Sequence, residues 1–149
     1  MSDDLMGRAD VVVVARGWIG TPYQHQASLK GVGSDCLGLL RGVWRELLGE
    51  EPEAMPPYTV DWSEARGDEV MLQAARRWLR PAGPGFQAGD VVVFRMRQGF
   101  VAKHLGIVSL GGAAPRFIHA YTGHGVVENA LTAPWVRRIA GHFVFPKGD

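Results

Sequence analysis

The hydrophobic pattern changes its period once, near Gly89, and that switch constrains the fold more than any other feature. Before it, apolar residues recur at helical spacing; after it, they fall into short runs suited to strands. Leu37, Leu40, Trp44, Leu47 and Leu48 mark one side of a helix, with Ser34 or Asp35 as its N-cap and Gly49 where a C-terminal glycine ends it. Upstream, Asp3 or Asp4 is positioned to cap a first helix with Leu5, Ala9, Val12, Val13 and Arg16 on one side. Its "VVVV" at 11–14 has strand propensity, but we read it as helix. "EPEAMPPYTV" is a proline-rich connector, and Asp61 with Glu64 resembles the capping box of a third helix. That helix has one row of Val70, Ala74 and Trp78 and a second of Met71, Ala75 and Leu79, and "RPAGPG" stops it. Beyond Gly89, "DVVVF", "HLGIVSL", "RFIHAY", "GVVENA" and "GHFVFP" read as strands separated by glycine, proline or polar residues. Helices first and strands after define an α+β domain with an antiparallel sheet.

The net charge of +1 supplies no field to gather nucleic acid or a membrane surface, so neither is expected as a partner. The longest apolar run is far shorter than a membrane span, so membrane insertion is not expected. "MSDDLMGRAD" carries no secretory pattern, and synthesis in the cytoplasm is expected. A single cysteine precludes an internal disulfide.

That cysteine, Cys36, falls in the first turn of the second predicted helix, behind the glycine-rich "GVGSD". Unpaired N–H groups and the dipole at a helix start favour the thiolate, and the same N–H groups can form part of an oxyanion hole. Gly33 and Gly38 would let backbone approach a substrate. Asp35 opposes a second negative charge, which a nearby histidinium would more than offset. A small buried hydrophobe explains this stretch equally well when it is taken alone.

The histidines shift that balance. His104 shares a strand face with Gly106 and Val108; His119 shares one with Phe117 and Tyr121. On adjacent strands one can serve as a base and the other can orient it, although each taken singly reads as structural. His25 is placed to border a cleft, His124 to be solvated in its turn, and His142 to be a sheet residue. Tyr23, in a glycine-proline loop, is either a packed ring or a donor near a reacting carbonyl. No HExxH or similar ligand cluster occurs, so neither metal nor other cofactor is expected.

"GTPY", "DCLGLL", "AGDVVVF", "HLGIV" and "FIHA" stand in the order seen in the NlpC family of papain-like cell-wall peptidases, which this chain resembles over nearly its whole length. The resemblance implies a papain-like fold, N-terminal helices packed on a C-terminal antiparallel sheet. It implies Cys36 as nucleophile, His104 as base and His119 as the polar third member. Tyr23, Asp35 and His25 would form the substrate and oxyanion side. The substrate would be a peptidoglycan stem peptide, cut between γ-D-glutamyl and a diamino acid. "GTPYQHQ", "PPYTVDW", "VVENAL" and "IAGHFVFP" are similar to the single-domain branch carried by phage tails and gene transfer agents. That similarity implies one peptidase domain over 1–149 with a helical insert at about 52–84. It implies tail-tip or baseplate partners and action in the periplasm of a recipient cell. Leu37 stands where the family usually has serine, and an attached cell-wall-binding domain is not expected. The rival readings are a structural tail protein with a degenerate site, a zinc amidase using His104, His119 and His124, and a thiol acyltransferase or deamidase of the same fold.

Overall fold

A computed structural model describes residues 7–52 and 69–146. Helix α1 (Arg8–Arg16) is followed by a two-stranded ladder, β1 (Ser28–Leu29) with β2 (Gly33–Ser34), and then by α2 (Cys36–Leu48) and α3 (Val70–Trp78). The remaining strands are β3 (Arg80–Pro81), β4 (Asp90–Phe94), β5 (His104–Leu110), β6 (Arg116–Tyr121), β7 (Gly125–Ala130) and β8 (Ile139–Val144), with a short α4 (Ala133–Val136) before β8. They form one antiparallel sheet in the order β3-β8-β4-β5-β6-β7. This is the α+β arrangement expected from the change of period.

Helix α1 contains the four valines, but its buried face is Val11, Val12 and Ala15, and Val13 is 70% exposed. The inward face is therefore rotated from the expected one. Trp18, just past the helix, draws Val11 and Ala15 into a cluster with Leu39 and Val43 of α2. Gly7 flanks the helix without a side-chain cap, and the expected caps Asp3 and Asp4, with Leu5, lie outside the described residues. Arg8 instead ties the start of α1 to the buried carboxylate of Asp90 on β4.

Helix α2 is buried on two sides. Leu37, Leu40 and Trp44 meet α3 and the sheet, as their spacing predicts, while Leu39 and Val43 meet α1. Gly42 permits the second contact, since a Cβ there would lie 2.0 Å from the Trp18 ring. Gly49, with φ of 90°, ends the helix as expected.

Helix α3 buries Met71, Leu72 and Ala75 against Val91, Val93, Leu105 and Phe143. Its expected capping box, Asp61 with Glu64, lies outside the described residues. "RP" at 80–81 does more than stop the helix: it forms β3, paired with Val144 and Phe143 at the sheet edge, where proline costs no ladder bond.

The second face of the sheet carries Val92, Phe94, Val108 and Phe117 beneath Leu131 and Trp135 of the segment around α4. Both faces are therefore covered, which explains why every residue of "DVVVF" is buried.

Candidate active site

The site begins with the cap of α2. Asp35 is only 3% exposed; one carboxylate oxygen accepts from the Gly38 N–H at 2.7 Å and the other from the Gln26 N–H at 2.7 Å. The second bond holds Gln26 at a φ of 67°, a backbone region disfavoured for non-glycine residues. The loop at 24–28 thereby lies against the first turn of α2. Gly38 makes the approach possible, because a Cβ there would stand 1.9 Å from the Ala27 carbonyl oxygen. The Asp35 carboxylate thus holds backbone of both the loop and the helix.

Cys36, the first residue of α2, is half-buried, and its Sγ donates to the Lys103 carbonyl at 3.6 Å. The N–H groups of Leu105, Leu37 and Cys36 itself favour its thiolate, but burial first and the Asp35 carboxylate second outweigh them and push the thiol up to about 12. The helix start alone predicted an acidic thiol; desolvation reverses that expectation. The thiol lies against peptide groups on both sides of His104.

His104 and His119 share the second face of the sheet, on neighbouring strands joined at Val108 and Phe117. Gly106 lets them meet: a Cβ there would lie 2.7 Å from the Phe117 ring and 3.3 Å from the His119 Cβ. His104 Nε2 and His119 Nδ1 are 2.8 Å apart, and His119 Nε2 is 2.8 Å from Asn129 Oδ1 on β7. His104 is 8% exposed and His119 is fully buried. Burial, reinforced by His119, lowers His104 to about 3. Burial also lowers His119, against the opposing bond from Asn129. The histidinium expected from sequence to offset Asp35 is therefore absent at rest, and the pair stands as thiol and neutral imidazole.

Tyr23 is half-buried, and its hydroxyl is hydrogen-bonded to the Thr122 side chain. Burial raises it, and the charges of Cys36 and Asp35 act in the same direction, so it belongs to the same neighbourhood. His25 lies 3.8 Å from Asp35 and 3.4 Å from the Gln26 amide, in the loop rather than beside the histidine pair. His124 is exposed and stacks on Tyr121. His142 lies in β8, bonded to Asp90 at 2.6 Å. Among the described residues, no three or more His, Cys, Asp or Glu side chains converge as metal ligands would.

Sequence reasoning missed two residues here. Asn129 continues the histidine chain, but nothing in "VVENA" distinguishes it from an ordinary polar strand position. Trp135 lies over both histidine rings, 5.9 Å from His104 and 5.3 Å from His119 between centroids. Its four-residue helix is too short to leave a periodic signal.

The layers and topology are those of the papain-like α+β fold of NlpC/P60 proteins. Neither a protein-family model nor a curated protein sequence matches this chain. A crystal structure of an NlpC/P60 family protein from Bacillus cereus is 19% identical, with a TM-score of 0.63 over 93% of this chain and 40% of that one. A protein of Staphylococcus aureus described as similar to lipoprotein, NLP/P60 family, is 21% identical, with a TM-score of 0.61 over 97% of this chain and 42% of that one. NlpC1 from Trichomonas vaginalis is 18% identical, with a TM-score of 0.56 over 91% of this chain and 42% of that one. The chain thus spans about two fifths of the length of these similar structures.

Proposed function

We propose that this chain is a thiol hydrolase of NlpC type that cleaves peptidoglycan stem peptides. One observation carries the reading: the thiol at the start of α2 bonds the Lys103 carbonyl and lies near the Leu105 N–H, the peptide groups on either side of His104, whose far ring nitrogen is already engaged by His119. That leaves His104 Nδ1 as the site for the thiol proton. Because the resting pair is neutral, proton transfer to His104 Nδ1 accompanies attack of Cys36 Sγ on the carbonyl carbon. The tetrahedral oxyanion is met by N–H groups at the start of α2 and by the Tyr23 hydroxyl. His104 then protonates the leaving amine and a thioester remains. Water, deprotonated by His104, releases the acid and restores the thiol.

The stem peptide, and its γ-D-glutamyl–diamino acid bond, come from the sequence resemblance, as does the setting. We propose a tail-tip or baseplate location, with tail proteins as partners and action in the periplasm of the recipient cell. The insert at about 52–84 would serve as a docking or cleft-rim element.

Mass spectrometry of muropeptides after incubation with wild type and with Cys36→Ala tests the chemistry. Wild type should yield two fragments whose summed mass exceeds the substrate by one water, and Cys36→Ala should yield none. Turnover by folded Cys36→Ala would remove the thiol mechanism. A product joined to another amine would instead identify acyl transfer.

A further inference from the structure

We propose that Asn129 is a positioning residue that selects the ring tautomers of both His119 and His104. This rests on the thiol-hydrolase reading for its functional consequence, but not for its geometry.

The chain of donors runs in only one direction. Asn129 Oδ1 is an acceptor and nothing else, so His119 Nε2, 2.8 Å away, carries the proton. In the neutral ring His119 Nδ1 is then bare and accepts. His104 Nε2, 2.8 Å from it, must donate, which leaves His104 Nδ1 unprotonated. One amide on an edge strand thereby determines the proton position on two buried rings.

The placement follows from register. Asn129 pairs across from Phe117 and Val127 from His119, so Asn129 reaches His119 diagonally on the same face of the sheet. Its own side is exposed, and it belongs to none of the core clusters. The groups facing His119 are His104 from β5, Asn129 from β7, Phe117 and Tyr121 from its own strand, and Trp135 from α4. His124 acts on it from the following turn. None of these except Asn129 offers Nε2 an oxygen acceptor among the described hydrogen bonds.

Loss of the acceptor frees His119 to place its proton on Nδ1. His104 Nε2 must then accept, and His104 Nδ1 presents a proton to the thiol, the wrong state for a base. A carboxylate at 129 has a different effect. It still accepts from Nε2, but it favours the imidazolium of His119, which donates from both nitrogens and also forces His104 Nε2 to accept. Asn129→Ala should therefore lower kcat at all pH values, while Asn129→Asp should act mainly on the acid side.

The experiment uses the full chain with ¹⁵N-labelled histidine. Ring-nitrogen chemical shifts at neutral pH should show Nε2–H on both His104 and His119 in wild type and a mixture of tautomers in Asn129→Ala. On muropeptides, Asn129→Ala should lose about tenfold in kcat with KM unchanged, well short of the ~10⁴ seen when the wrong tautomer is fully held. Asn129→Asp should keep kcat near its plateau and move the acid limb of kcat/KM to higher pH. Tautomers in Asn129→Ala that match wild type would overturn the proposal. So would an Nδ1–H on His104 in the wild-type protein. If the tautomers behave as stated but wild type cleaves no muropeptide, the positioning role stands and the hydrolase reading falls.

Discussion

Replacing Asp35 by asparagine should make the protein less stable and its thiol more acidic in the same variant. The carboxylate accepts two backbone N–H bonds of 2.7 Å at a nearly buried position. Asparagine keeps one acceptor and turns an NH₂ group towards the other N–H. A hydrogen bond to a charged group contributes about 1.5–3 kcal/mol, and stranding a buried donor costs about 1–3 kcal/mol. Asp35→Asn should thus cost about 2–4 kcal/mol, and Asp35→Ala, which also removes the helix cap, about 3–5 kcal/mol. The electrostatic effect has the opposite benefit. After burial, the Asp35 charge is the next cause holding Cys36 up, so alkylation by iodoacetamide should begin at lower pH in the asparagine variant. Urea unfolding measures the first effect; alkylation rate against pH, under conditions where near-UV circular dichroism shows native packing, measures the second. A variant within about 0.5 kcal/mol of wild type would refute the capping role, since that is the range of ordinary surface substitutions. An alkylation onset that stays put or moves upward would refute the electrostatic argument.

Folded His104 titrates near 3 against 6.5 for the free side chain, so on acidification the unfolded state takes up the proton first. Its contribution to stability is complete above pH 6.5 and declines by about 1.4 kcal/mol per pH unit towards pH 3; urea unfolding at several pH values should show a shallower acid slope for His104→Gln than for wild type. His119 should respond in steps: His119→Asn and His119→Gln keep an acceptor for His104 and part of the turnover. His119→Ala loses more activity and about 2–4 kcal/mol of stability from the cavity beneath Trp135. Loss of turnover that tracks melting temperature across all three would reduce His119 to a core residue. Gly106→Ala should cost about 1–3 kcal/mol and lower turnover, because its Cβ would press on the Phe117 ring 2.7 Å away; calorimetry showing wild-type stability would refute that crowding.

Local pattern carried much of the fold. The period change at Gly89 separates the helices from the main strands, a cap at Ser34 or Asp35 opens α2, with Asp35 the one that serves, Gly49 ends it, and alternation placed His104 and His119 on the faces they occupy. These features depend on residues within a turn or a strand of one another, so sequence spacing reports them directly. The rotated face of α1 was not legible, because Trp18 and α2, rather than the helix's own valines, determine which side turns inward. Nor was β3, whose two residues become a strand only because β8 lies beside them.

The proton chemistry belongs to the same division. Sequence determined that one thiol stands at a helix start and that two histidines occupy neighbouring strands. Tertiary structure decided that burial holds the thiol protonated and the imidazole neutral, because desolvation depends on everything packed around a group. It also decided that Asn129 and Trp135 belong to the site. A strand register and a four-residue helix bring them to the histidines across 10 and 16 positions of chain beyond His119, a closeness that no local pattern encodes.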